Sequence, residues 1–196
     1  MEKTVNTLSN IRALSLRAIA PSRQKGNALL FAMLALVVAA ILTIVAMRMY
    51  QASQRSVRIE AATSDLNTII AAAQKLYGNS NQYGAVTTAI AIRGTVIPPA
   101  MRIAGTTTAQ NRYYGAVTMA PATITTANDS LTLTYGNVNR DDCQDLVLGM
   151  ESTTRRIAVG GTEVKPADSP VDIAAMSTAC DSAATRDIAY TFGRGQ

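Results

Sequence analysis

The sequence contains no histidine and no tryptophan. The first absence removes the commonest general base and the commonest metal ligand. Two cysteines are too few for a structural zinc site, which takes four nitrogen or sulfur ligands. No phosphate-cradling glycine loop, nucleophile elbow or metalloprotease helix motif occurs. Together these absences predict a chain that is not an enzyme, with no catalytic residues, no metal and no cofactor. Only two phenylalanines are present, so a core has to be built from Ala, Val, Ile, Leu and Tyr.

Negative charge is missing over a long stretch, with no acidic residue between Glu2 and Glu60. Residues 1–26 hold Lys3, Arg12, Arg17, Arg23 and Lys25 against Glu2, a net of +4, which leaves +1 of the chain's +5 for everything else. A basic total invites a nucleic-acid partner. Here the excess is confined to the N-terminal segment and the body is nearly neutral, so no specific nucleic acid is expected.

What is present is an apolar run. Ala28 to Met47 are twenty residues whose single polar side chain is Thr43. As a helix the run spans about 30 Å, the thickness of a bilayer's hydrocarbon core. A cleaved secretory signal has a shorter apolar region and a small-residue cleavage site, and this run ends instead on Arg48-Met49-Tyr50-Gln51. Positive charge precedes it. The N-terminus is therefore expected in the cytoplasm and the C-terminal body outside the inner membrane, where a disulfide between Cys143 and Cys180 persists.

The helical pattern continues beyond the run. Residues 51–77 contain no Gly and no Pro, and Val57, Ala61, Leu66, Ile69, Ile70, Ala73, Leu76 and Tyr77 recur at spacings of three and four. Gln54, Arg58, Asp65, Asn67 and Lys75 are assigned to the solvated face, and Gly78-Asn79 to the stop. One helix of about 50 residues results, roughly 75 Å long, apolar on all sides in its first half and one-sided in its second. A simple anchor needs only the first half; the second half is expected to be the spine of the exported domain.

Residues 78–112 read as a loop region with one short helix or strand at Val86–Ile92. Strands are expected at Tyr113–Met119, Leu131–Tyr135, Ile157–Val159 and Asp187–Phe192, arranged as a meander on the long helix. Short helices are expected from Asp141 or Asp142 to Leu148, and from Ser169-Pro170 to Cys180. The fold class is α+β, a long N-terminal helix packed against an antiparallel sheet. Asp141, Asp142 and Asp145 match no calcium loop and read as helix capping and a solvated face. Arg155-Arg156, with Arg140 and Lys165, reads as solvated surface. YGAV occurs at Tyr83–Val86 and Tyr114–Val117, and both copies read as a turn leading into a strand.

The basic segment ending in Lys25-Gly26, the Gly26-Asn27 junction, the apolar run, the long helix, the cysteine pair and the stretch TLTYGNVNRDDCQDLVLGM together resemble a type IV pilin of the type IVb subclass. They are similar to conjugative thin-pilus and enterobacterial type IVb pilins. The resemblance implies residues 1–26 as a leader removed by a prepilin peptidase, with cleavage after Gly26 and methylation of Asn27. It implies residues 27–50 as the transmembrane and filament-core half-helix, in which Leu29, Leu30, Phe31, Leu34, Leu36, Val37 and Ile41 pack, and residues 51–196 as the exported domain. The implied partners are other copies of the chain, the peptidase, the inner-membrane assembly machinery, and a host or recipient-cell surface. The chain departs from the family at mature position five, where Phe31 stands in place of the usual glutamate. A minor or tip pilin, a secretion-system pseudopilin, and an anchored exported domain that never polymerises are the competing readings.

Overall fold

The computed structural model describes residues 27–78 and 83–193. The chain divides into two compact units, Met1–Arg48 and Met49–Gln196. Helix α1 runs from Asn27 to Tyr77 over 51 residues. Its end is enforced at Gly78, whose N–H donates to the Gln74 carbonyl at 2.8 Å. A Cβ at Gly78 would lie 2.3 Å from that same oxygen, so no larger residue fits without a shift.

Within the second unit, α1 buries Ala62, Leu66, Ile69, Ile70 and Ala73. The expected stripe is thus corrected at three places. Val57 and Leu76 are 59% and 50% exposed, and Ala62 rather than Ala61 takes the innermost position.

The sheet has six antiparallel strands. These are β1 (Ala109–Gln110), β2 (Ala116–Ala122), β3 (Ser130–Asn139), β4 (Arg156–Val159), β5 (Thr162–Lys165) and β6 (Thr185–Gly193). Their spatial order is β1-β2-β3-β6-β4-β5. The expected meander is therefore wrong, since the last strand enters between β3 and β4. Alternation along each strand produces cross-strand rows. Val117, Tyr135, Ile188 and Val159 form one row, and Met119, Leu133, Tyr190 and Ile157 the next. All eight are buried and share one core with the inner face of α1. Each such side chain contributes on the order of 1.5–3 kcal/mol by leaving water. Pro121 sits in β2 beyond the reach of β1, where its missing N–H breaks no ladder.

All four expected strands are present, the first starting at Ala116 rather than Tyr113 because Tyr113–Gly115 form a turn. β1 and β5 were not anticipated, although β5 has a readable signal in Gly160-Gly161, both at positive φ, between two β-rich runs. The segment at Val86–Ile92 is helical, as α2 (Thr88–Arg93), capped by the Thr87 hydroxyl. The first YGAV is a 3-10 turn rather than a strand start, and only the second leads into β2.

Helices α3 (Arg140–Gly149) and α4 (Ile173–Asp181) complete the unit. Neither begins as expected. Asn139 stands before α3 without a side-chain cap, and Asp141 and Asp142 lie inside its first turn, where their charge suits the helix dipole. Asp172, not Pro170, starts α4, with Oδ1 accepting from the Ala174 and Ala175 N–H groups at 2.9 and 3.0 Å.

Candidate functional site

Among the described residues, the first half of α1 is the most exposed apolar surface. Over its most apolar 18 residues the mean hydropathy is 3.0 and none of it is buried. Leu29, Leu30, Phe31, Leu34, Leu36, Val37 and Ile41 are all exposed. The Thr43 hydroxyl donates to the Ala39 carbonyl at 2.8 Å, so the run's single polar side chain is satisfied within the helix. Water does not tolerate such a surface, and monomeric soluble proteins rarely carry one this large. Among the described residues this is the one helix long and apolar enough to cross a membrane. Asn27 is its first residue, while Gly26 and the rest of the expected leader lie outside the described residues.

The second half of α1 is fastened to the globular unit by charge as well as by packing. Arg55 Nε donates to Asp142 Oδ1 at 2.9 Å and Arg55 Nη2 to Asp145 Oδ2 at 2.7 Å, with a further bond to the Asp141 carbonyl. One turn on, Arg58 Nε lies 3.4 Å from Asp142 Oδ2 and its guanidinium stands 5.7 Å from the centre of the Tyr113 ring. The Asp142 side chain is 2% exposed. Its placement on a solvated face is therefore corrected: the carboxylate is the buried centre of an ion network that docks α3 on α1. Asp65, 19% exposed, is likewise corrected from the water-facing side and accepts from Arg112 Nε at 2.7 Å, whereas Arg58 stays 41% exposed while it pairs with Asp142. Hydropathy periodicity missed these residues because it reads charge as exposure. No cluster of ligands suited to a metal occurs among the described residues.

Cys143 of α3 and Cys180 of α4 are joined, with their Cα atoms 5.8 Å apart. The bond ties α3, which packs on β3 and β6, to α4, which lies against the β4–β5 hairpin. Of the basic group, Arg140 is solvated surface, its side chain 51% exposed, but the Arg155 side chain is only 10% exposed and Lys165 is buried. Arg155 Nη2 donates to Asp168 Oδ2 at 2.7 Å, and this bond holds the Asp168 carboxyl below the usual carboxylate range. Arg156 faces Glu163 at 3.4 Å, and the buried Lys165 Nζ donates to the Thr154 and Arg155 carbonyls at 2.8 and 3.2 Å. The positive charges are consumed locally.

Two other buried groups shape the unit. Burial pushes the Tyr135 phenol up to about 12, in the core where it meets Tyr113 edge-to-face at 6.2 Å. Asp129, in the turn joining β2 to β3, accepts from the N–H groups of Ile124, Thr125 and Thr126 at 2.8, 2.7 and 2.8 Å. Burial acts to raise its pKa, but these bonds and the Thr125 hydroxyl outweigh it and hold the carboxyl well below the usual range.

Comparison with known proteins places this fold. A family model described as PilS N terminal matches residues 56–192. The fold is similar to that of TcpA, a type IV pilin from Vibrio cholerae El Tor biotype, at 15% identity and a TM-score of 0.53, covering 69% of this chain and 99% of that chain. It is also similar to the type IVb pilin from Salmonella typhi at 19% identity and a TM-score of 0.51, covering 67% of this chain and 99% of that one. No curated protein matches the sequence. At these identities the likeness is one of fold, and the shared fold is a long helix laid on an antiparallel sheet.

Proposed function

The chain belongs to the PilS N terminal family and has the fold of a type IVb pilin, and from that premise we propose that it is a prepilin, a structural subunit that polymerises into a surface filament. The observation that carries the reading is the twenty-residue apolar surface at 28–47, contiguous in α1 with a second half that is built into the globular unit. In the precursor this surface anchors the chain in the inner membrane. After removal of residues 1–26 between Gly26 and Asn27, and methylation of Asn27, it packs against the same surface of other copies. Leu29, Leu30, Phe31, Leu34, Leu36, Val37 and Ile41 supply the filament core, and Ala32, Ala35, Ala39 and Ala40 allow close approach of helices. The disulfide-bearing unit, residues 51–196, faces outward and contacts a host or recipient cell. The mechanism is assembly, not catalysis.

A position at the filament tip, or a minor subunit, is favoured by one observation. Position five from Asn27 is Phe31, and no carboxylate lies between Glu2 and Glu60 to neutralise the amine that cleavage exposes. A charge buried without a partner is costly, and a tip subunit avoids burying it.

The test is the mature N-terminus, read by mass spectrometry from cells with and without the prepilin peptidase. A peptide beginning at methylated Asn27, present only with the peptidase, is expected. An intact N-terminus, or cleavage beyond Met47, would remove the pilin reading and leave an anchored or secreted domain.

A further inference from the structure

We infer that Cys143, beside Arg140, is the thiol through which this chain reacts with an external disulfide, and that Cys180 is the thiol that resolves the mixed disulfide so formed. The bond between them is the product of that reaction. Its formation does not depend on whether the chain later polymerises.

In the folded unit neither cysteine can be reached. Cys143 and Cys180 are both 0% exposed, and Leu146, Val147, Met176 and Ala179 of the same two helices are buried with them. Exchange with a disulfide on another molecule needs access to the attacking sulfur. The reaction therefore takes place while α3 and α4 are parted. The two helices are not held equally. α3 is fastened to α1 by Asp142 and Asp145 on Arg55, at 2.9 and 2.7 Å, and it packs on β3 and β6 inside the sheet. α4 lies over β5 and β4, at the sheet's edge, and its ion pair, Asp181 with Arg140, is long at 3.9 Å. α4 is the element that parts, and α3 stays on α1 with Cys143 uncovered.

The helices hold the two thiols at opposite ends. Cys143 is the fourth residue of α3, and Cys180 is the last but one of α4. The free N–H groups of a helix N-terminus favour a thiolate, whereas the free carbonyls of a C-terminus oppose one. The acidic neighbours of Cys143 do not cancel this. Asp142 is paired with Arg55 and stands 3.4 Å from Arg58, and Asp141, two residues before Cys143, does not share its face of the helix. Asp181 follows Cys180 directly and is 61% exposed. Arg140 adds a cation. It precedes Cys143 by three residues, which puts both on one face of α3. Its Nη2 donates to the Asp181 carbonyl at 2.9 Å, so the guanidinium stands at the end of α4 that carries Cys180. When the helices part, it remains with Cys143.

The steps balance. Cys143 loses its proton, and its thiolate attacks one sulfur of a disulfide-bearing oxidant, a class that persists in an oxidising compartment. A mixed disulfide forms, the oxidant's own S–S bond breaks, and its second sulfur leaves as a thiolate. Cys180 then loses its proton and attacks Cys143 Sγ. The Cys143–Cys180 bond forms and the mixed bond breaks. Both sulfurs of the oxidant end as thiols, having taken up the two electrons and the two protons.

The experiment uses the full chain, reduced and held in detergent solution near neutral pH, with glutathione disulfide as the oxidant. Acid quenching at early times, alkylation of free thiols and mass spectrometry locate the glutathione. Cys143 should carry at least about threefold more of it than Cys180, and the preference should vanish in concentrated urea. The single-thiol chains provide a second measurement. Cys180→Ala should accumulate the mixed disulfide, which nothing resolves, and Cys143→Ala should form it more slowly. In the Cys180→Ala chain, adding Arg140→Gln should move the pH–rate profile to higher pH, while Arg140→Lys should leave it in place. Equal labelling of the two thiols, or more at Cys180, overturns the inference. So does a preference that survives urea, which would belong to the local sequence and not to the helix ends. A profile unmoved by Arg140→Gln overturns the part assigned to that cation. Filaments are not the readout, so failure here leaves the pilin reading standing.

Discussion

At the scale of single residues, Asp129 is the most consequential side chain outside the packed core. Three backbone N–H groups and the Thr125 and Ser130 hydroxyls converge on it, so its ionised form closes the turn between β2 and β3. An unfolded aspartate titrates near 4, and the folded one lies well below that. The sign follows directly. The stabilisation is complete above about pH 5 and is lost as pH falls below about 4, because the unfolded chain then binds a proton that the folded chain refuses. Asp129→Asn, which cannot accept with the same strength, should cost about 1–3 kcal/mol at pH 7. The check is thermal unfolding of both proteins between pH 7 and 2. The gap between them should narrow on the acid side, and a gap that stays constant with pH would show that the charge is not what matters.

At the scale of elements, the link between α1 and the disulfide-bearing helices decides whether the unit holds together. Two devices serve it. The Cys143–Cys180 bond, with a sequence separation of 37, removes chain entropy from the unfolded state, by about 4 kcal/mol in the loop-closure picture. The Arg55–Asp142 pair docks α3 on α1, and with Arg55 side chains 43% exposed its loss is discounted to about 1–2 kcal/mol. Cys143→Ser/Cys180→Ser should therefore lower the denaturation midpoint considerably more than Arg55→Met, as read by urea titration; equal effects would mean that the ion network dominates. Much of this architecture was legible. The long helix, four strands and the α+β class follow from periodicity, because alternation and three-four spacing are local. The entry of β6 between β3 and β4 was not legible, since which strands pair is settled by rows such as Met119, Leu133, Tyr190 and Ile157 meeting across the sheet. The ion network was missed for a related reason. Asp65 and Asp142 are charged, and only their long-range partners reveal that they face inward.

At the scale of the whole molecule, one chain carries two surfaces with opposite demands. The globular unit is finished, with its core buried and its inward-facing carboxylate Asp142 paired. The first half of α1 is unfinished, because every large apolar residue on it is exposed. Such a surface is stable only in lipid or against other apolar helices, and a filament subunit needs both environments in turn. Leu36, at 70% exposure near the middle of the run, is where the two demands coincide. A carboxylate there costs about 2.5–3.5 kcal/mol for membrane insertion, and in a filament core it would be buried without a partner. The Leu36→Asp chain should therefore be depleted from the membrane fraction and yield no filaments. Leu36→Ala, which removes bulk but adds no charge, should still insert. Cell fractionation together with electron microscopy of shed filaments separates the steps. Normal insertion without filaments places the requirement in helix packing, and loss of both places it in the membrane. Normal filaments from Leu36→Asp would mean that this surface is not the assembly core, which would leave the globular unit's own contacts to hold the filament.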